Sequence, residues 1–182
     1  MNMEITRALV DEHRLILRMI TLLEQNATLT EKGSYSNWSF YLDGVDFIRN
    51  YADRFHHAKE EGVLFEALVT NGMPRENSPV AAMLMEHEQG RSFVVGMEMA
   101  ASEAMKGLPG RELEIVKNAL AYAELLRDHI SKEDGILYPL AERIIPEAIR
   151  GGILEGYREA EDGKAADFCK HYQAIVEKYE QD

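Results

Sequence analysis

Cysteine is almost missing from this sequence: Cys169 is the single one. That excludes an internal disulfide and any cluster of thiolate ligands, and it leads us to expect a reducing, cytoplasmic setting. Long apolar runs are missing too. No stretch approaches the roughly 18 apolar residues that read as a membrane-spanning helix. Glu4 and Arg7 stand where the apolar part of a leader would begin, so neither secretion nor insertion is expected. Positive charge is scarce, with 20 Lys and Arg against 32 Asp and Glu and a formal net charge of −12. Nucleic acids and anionic membrane surfaces both call for a basic face, so neither is an expected partner.

What is present is a repeat. The stretch Phe55-His56-His57-Ala58-Lys59-Glu60-Glu61-Gly62-Val63-Leu64-Phe65 returns as Asp128-His129-Ile130-Ser131-Lys132-Glu133-Asp134-Gly135-Ile136-Leu137-Tyr138, followed by Pro139. His56 matches His129, Lys59 matches Lys132, Glu60 matches Glu133 and Glu61 matches Asp134, all 73 residues apart. A shorter pair precedes them 74 residues apart: Glu12-His13 and Glu86-His87. The chain therefore reads as two copies of one unit, each carrying Glu-His and then His-x-x-x-Glu.

Periodicity places these motifs on helices. Ile5, Leu9, His13, Ile16, Ile20 and Leu23 step by three and four, an amphipathic helix over residues 3 to 28 with Asn2 as a candidate N-cap. A loop rich in Ser, Thr and Gly ends in a cap signal at Ser36 or Asn37. The second helix is expected from Trp38 to Glu61, with Tyr41, Val45, Ile48, Ala52, His56 and Glu60 on its apolar stripe. Arg49, Asp53 and Lys59 fall off that stripe, as an exposed face should. Gly62 then ends or kinks this helix. Ser78-Pro79 opens the third, which carries His87 on its stripe with Gly90 close by, and runs to Met105. The fourth spans Arg111 to Asp134 with Ile115, Ala119, Tyr122, Leu126, His129 and Glu133 on one face. Gly135 and Pro139 repeat the ending of the second helix. Beyond residue 145 the composition is helical, with breaks at Gly151-Gly152 and at Gly163, and a last helix from Ala165 to Glu180 packs outside the others.

A single His-x-x-x-Glu is usually a surface pair, worth about 0.2–0.5 kcal/mol. Here four histidines fall on the apolar stripes of four helices, two of them paired with an inward Glu. Six inward polar groups without a cation would be costly, because an unpaired buried carboxylate is worse than a neutral amide. Imidazole and carboxylate together suit a divalent first-row metal, iron in particular. Four His and two Glu are enough to hold two metals with the carboxylates shared.

Glu-His…His-His-x-Lys-Glu-Glu-x-x-Leu-Phe…Glu-His…His-x-x-x-Glu-Asp-x-x-Leu-Tyr-Pro, over residues 5 to 145, resembles the hemerythrin-like, or HHE cation-binding, family. The resemblance implies an all-α, up-down-up-down four-helix bundle in residues 1–145, with residues 146–182 as a helical extension packed on it. It implies two iron ions as cofactor, with zinc or manganese as substitutes. His13 and His56 would serve one ion, His87 and His129 the other, and Glu60 and Glu133 would bridge them. Two departures separate this chain from the oxygen carriers of that family. Arg91 stands where they have a further histidine, and Glu133 lies four residues after His129, where they place an Asp five after. His57 could supply the missing imidazole or lie outside the ligand set.

Three functions follow. One is a binding protein that carries, stores or senses O2, NO or iron; another is an enzyme acting on peroxide or NO; the last is a bundle merely cross-linked by a cation. The binding reading is preferred, because no electron donor or proton relay is evident. A homodimer is compatible with all three. Tyr122, Tyr138, Cys169 and the methionines read as packing residues. Glu61 and Asp134 could orient a ligating imidazole but are more often solvated, Lys59 and Lys132 belong on an exposed face, and His171 belongs on the surface.

Overall fold

A computed structural model describes residues 4–161 and 165–181, and every regular element among them is helical. Helix α1 spans Arg7–Glu31. Helix α2, Trp38–Phe47, runs on through wider π-helical turns at Ile48–His57 and Glu60–Leu64 into α3, Phe65–Thr70. Helix α4 is Pro79–Met105 and α5 is Glu112–Lys132. A π turn at Glu133–Leu137 joins α5 to α6, Tyr138–Ile144, and α7 (Glu147–Ala160) and α8 (Ala165–Glu180) follow. Helix α5 packs against α1 and α4, and α2 packs against α4. No helix among the described residues is long and apolar enough to cross a membrane.

The helix ends follow local chemistry. Ser78 Oγ accepts the Ala81 N–H at 3.3 Å, with Pro79 in the first turn, as its sequence signal requires. The stop signals of α1 and α4 are Gly33 and Gly107, at φ +70° and +82°. Each lets the next residue fold back on the helix, Ser34 N–H to Leu29 O at 2.9 Å and Leu108 N–H to Glu103 O at 3.1 Å. Asn37 occupies the position before α2 without a side-chain cap bond. The Asn2 cap and the Gly163 break lie outside the described residues.

Two expectations about breaks are corrected. Gly62 and Gly135 do not end their helices. The chain continues through each as a π turn, with the Phe65 N–H bonded to Glu60 O and the Tyr138 N–H to Glu133 O. The two repeats thus share this uncommon turn at the same positions, and π turns concentrate at functional sites. Gly151 and Gly152 sit inside α7, on an exposed stretch where a missing side chain costs only propensity.

The apolar core is split in two. One cluster gathers Ile16, Ile20, Phe40, Phe47, Tyr51, Val94, Ile115 and Leu126 with Tyr172, Val176 and Tyr179 of α8. The other gathers Ile5, Leu9, Leu64, Phe65, Val80, Met83, Leu137 and Tyr138 with Ile153 and Tyr157 of α7. Every long helical path crosses from one cluster to the other. At the crossing it carries polar residues: His13 between Leu9 and Ile16, His56 and Glu60 between Phe55 and Leu64, His87 between Met83 and Val94, His129 and Glu133 between Leu126 and Leu137.

Candidate metal centre

That belt is buried. His13, His56, His57, His87, His129, Glu60 and Glu133 are all at most 6% exposed. Their ligating atoms fall into two pockets. In one, atoms of His13, His56, Glu60 and Glu133 lie within 4.8 Å of one another; in the other, atoms of His57, Glu60, His87 and His129 do. Glu133 faces both, with Oε2 3.3 Å from His13 Nε2 and Oε1 3.2 Å from His129 Nε2. Glu60 Oε2 is 3.6 Å from both His56 Nε2 and His87 Nε2.

The outer side of each imidazole is fixed by a carboxylate from another helical path. His13 Nδ1–H donates to Asp134 at 2.8 Å and His56 Nδ1–H to Glu12 at 2.8 Å. His87 Nδ1–H donates to Glu61 at 2.7 Å and His129 Nδ1–H to Glu86 at 2.9 Å. The pattern obeys the sequence repeat: Glu12 and Glu86 correspond, as do Asp134 and Glu61. Such partners fix the tautomer and turn the other nitrogen inward. Glu61 and Asp134 are therefore not solvated bystanders. Glu12 and Glu86 carry no role in the sequence reading, although the repeated Glu-His pair was the signal that could have found them.

The lysines divide. Lys132 is exposed on its side chain (42%) while bonding Glu86, but Lys59 is 0% exposed. The expectation of a solvated face fails for Lys59 because its ammonium pairs with Glu12 and with Glu161 beyond α7, and lies 3.6 Å from the Phe55 ring centre. Asp53, expected to be exposed, is half-buried and accepts from His57 Nδ1 at 3.3 Å. Arg91 takes hold of the same carboxylate with Nε at 3.1 Å and Nη2 at 2.6 Å, and of Glu61 at 2.8 Å. Where a further histidine was looked for, the chain has a cation that locks the carboxylates behind His57 and His87. His57 itself is inside the cluster, stacked on His87 at 3.7 Å between ring centres.

Tyr138 also departs from expectation. Its repeat partner Phe65 packs beside His87, ring centres 6.0 Å apart, but the Tyr138 hydroxyl donates to Glu60 Oε1 at 2.5 Å and sits 3.4 Å from His13 Nε2. Tyr122 is buried as expected of a core residue, but its hydroxyl end has no hydrogen-bond partner and does not reach solvent. It borders a cavity of about 110 Å³ beside His57 and His87, with Ile48, Val94 and Leu126 as apolar walls. Gly90 lines the cavity too; a Cβ there would stand 3.5 Å from Tyr122, ordinary contact, so the glycine leaves room and is not forced by close packing. His171 lies exposed on α8, as expected.

The arrangement is electrostatically incomplete without a cation. Carboxylates only accept, so each Nδ1 bears the hydrogen and, while the ring is neutral, each Nε2 keeps a lone pair. Yet His13 Nε2 faces His56 Nε2 at 3.0 Å, and His87 Nε2 faces His129 Nε2 at 3.0 Å. Glu60 Oε2 and both oxygens of Glu133 are buried with no hydrogen-bond partner. Without metal the charge is spread by protons. Burial, then repulsion from Glu133, pushes the Glu60 carboxyl well up. Burial would raise Glu133 as well, but the imidazoles of His129 and His13 facing its oxygens outweigh it and hold it well down. Burial would lower His13, but Asp134 and Glu133 raise it to about 9. Burial and neighbouring His87 take His57 down to about 3, so its imidazole is neutral. Nitrogen and oxygen donors converging on two points, each backed by a second carboxylate, fit a pair of first-row divalent ions.

Fold and site together define an all-helical protein with buried His/Glu clusters suited to cations. The family model of the hemerythrin HHE cation-binding domain matches residues 4–141, and the chain belongs to that family. No curated protein and no solved structure matches it.

Proposed function

We propose that this chain is a non-haem di-iron protein that binds or senses O2, NO or iron itself. The observation that carries the reading is the meeting of two Nε2–Nε2 pairs, each at 3.0 Å, around Glu60 and Glu133 oxygens that nothing else satisfies. His13 and His56 would hold one ion and His87, His129 and His57 the other, with the Glu60 and Glu133 carboxylates available to both. Zinc or manganese fit the same donors less specifically. Residues 1–145 form the metal-binding unit as an up-down-up-down bundle, and residues 146–182 brace it, with Glu161 reaching Lys59 and, through it, the Glu12 carboxylate that orients His56.

Iron bound there would supply redox chemistry and affinity for a small ligand. The residues of the chain do the rest. Glu12, Asp134, Glu61 and Glu86 keep the four imidazoles aimed inward. Arg91 fixes Asp53 and Glu61 and so stiffens His57 and His87. Ile48, Val94 and Leu126 keep the approach to the His57/His87 side apolar, which favours small uncharged molecules over ions. That cavity also supports a second reading, an enzyme acting on peroxide or NO, because it leaves room beside one half of the site.

Metal content and visible spectrum, measured after anaerobic loading with ferrous iron and exposure to air, test the reading. Two irons per chain and a reversible oxygen-dependent band are expected of a binding protein. Two irons with irreversible oxidation favour the enzyme. A colourless chain that takes only zinc would leave a structural cation site and sink the proposal.

A further inference from the structure

The two halves of the site repeat in sequence, but one position breaks the repeat inside the ligand sphere. Phe65 and Tyr138 occupy the same place after their π turns, and both rings are buried. Phe65 offers no polar atom. Tyr138 puts its oxygen 2.5 Å from Glu60 Oε1 and 3.4 Å from His13 Nε2, and its ring lies nearly parallel to that of His13 (10°). Two atoms bound to one ion at about 2.1 Å stand roughly 3.0–3.4 Å apart when they subtend about 90–110° at the ion. The Tyr138 oxygen is therefore spaced from His13 as a fellow ligand would be.

The imidazole count agrees. With Glu60 and Glu133 facing both halves, the His57/His87 half has three imidazoles and the His13/His56 half only two. The shortfall lies on the side where the phenol stands.

Resting on the di-iron reading, we propose that Tyr138 is a metal ligand of the His13/His56 pocket, so that one ion has a phenol oxygen where its neighbour has the imidazole of His57. When the pocket holds ferric iron, the O–H bond breaks, its electron pair stays on oxygen to form the bond to iron, and the proton leaves to solvent. No electron is transferred in that exchange. A hard oxygen donor of this kind favours the ferric state, making this ion the more readily oxidised of the two.

The test uses the full chain, loaded anaerobically with ferrous iron and oxidised by air, and reads resonance Raman within the visible band. Tyrosinate ring modes are expected in the wild type, shifted by ring-deuterated tyrosine. They should vanish in Tyr138→Phe, with two irons retained, and persist in Tyr122→Phe. Phe65 shows that a phenyl ring fits this place in the fold. Should Tyr138→Phe fail to fold, the deuterium shift in the wild type together with Tyr122→Phe still decides. Two irons bound without tyrosinate modes, or modes that survive Tyr138→Phe, would overturn this assignment and leave the di-iron reading standing. A wild type that takes up no iron would overturn both.

Discussion

The two halves of the buried belt share a scaffold and differ in how it is finished. Around His13 and His56 the finishing residues are Tyr138 and the fully buried Lys59, which ties Glu12 to the C-terminal extension. Around His87 and His129 they are His57, Asp53 and Arg91, beside a small apolar cavity. The inner ring is thus duplicated while the surroundings are individual. Two ions held in it would differ in ligand type, access and oxidation tendency, which a symmetric repeat alone does not imply.

The comparison breaks hardest at a residue both halves share. Glu133→Ala removes an oxygen from each pocket, so metal should be lost from both, by more than the roughly 10–100-fold that outer partners cost. Metal content by mass spectrometry checks this, with His171→Ala as a control that keeps its full complement.

Arg91→Ala sharpens the contrast by loosening one half. Asp53 and Glu61 lose their shared cation, and His57 and His87 lose rigid backing. The affinity of one ion should fall about 10-fold or more, while the other changes little. Stepwise metal titration followed by calorimetry resolves the two; an equal loss at both ions would contradict the division into halves.

Proton release is a smaller but directed effect. In the metal-free chain His13, raised to about 9, holds a proton at neutral pH, and burial with repulsion from Glu133 pushes Glu60 toward its protonated form as well. Ligands must shed such protons to bind metal. Metal affinity should therefore climb with pH and level off only above about 9, and loading in weak buffer near neutrality should acidify the solution. Affinity that falls as pH rises would contradict these assignments.

The least effect is expected at two glycines of α4. At Gly90, on the cavity side, an added Cβ meets only ordinary contacts, so Gly90→Ala should gain up to about 0.5–1 kcal/mol of stability by removing a mid-helix glycine. At Gly96 the Cβ would stand 2.5 Å from Asn118 Oδ1, so Gly96→Ala should lose about 1 kcal/mol or more. Thermal melts of the pair measure the difference.

Much of this was legible in the chain. The histidines of the four stripes and their two glutamates are inward because helical period and apolar neighbours agree at each of them. What period cannot show is depth. Lys59 lies off the stripe, yet the chain around α7 and Glu161 covers it, and only tertiary packing reveals that. The bonds of Glu12 and Glu86 run between distant helices; the repeated Glu-His pair marks the two residues, but only tertiary packing shows which imidazole each one holds. Gly62 reads as an end or a kink and Gly135 repeats it, because composition alone does not tell a wide π turn from a helix end. Tyr138 was read through Phe65, and the repeat hid the one oxygen that distinguishes them.

The most direct measurement is anomalous diffraction at the iron edge from crystals of the iron-loaded chain. Two peaks are predicted, one among His13, His56 and Tyr138 and one among His57, His87 and His129, with Glu133 between them. A single peak, or none within the belt, would contradict the paired site.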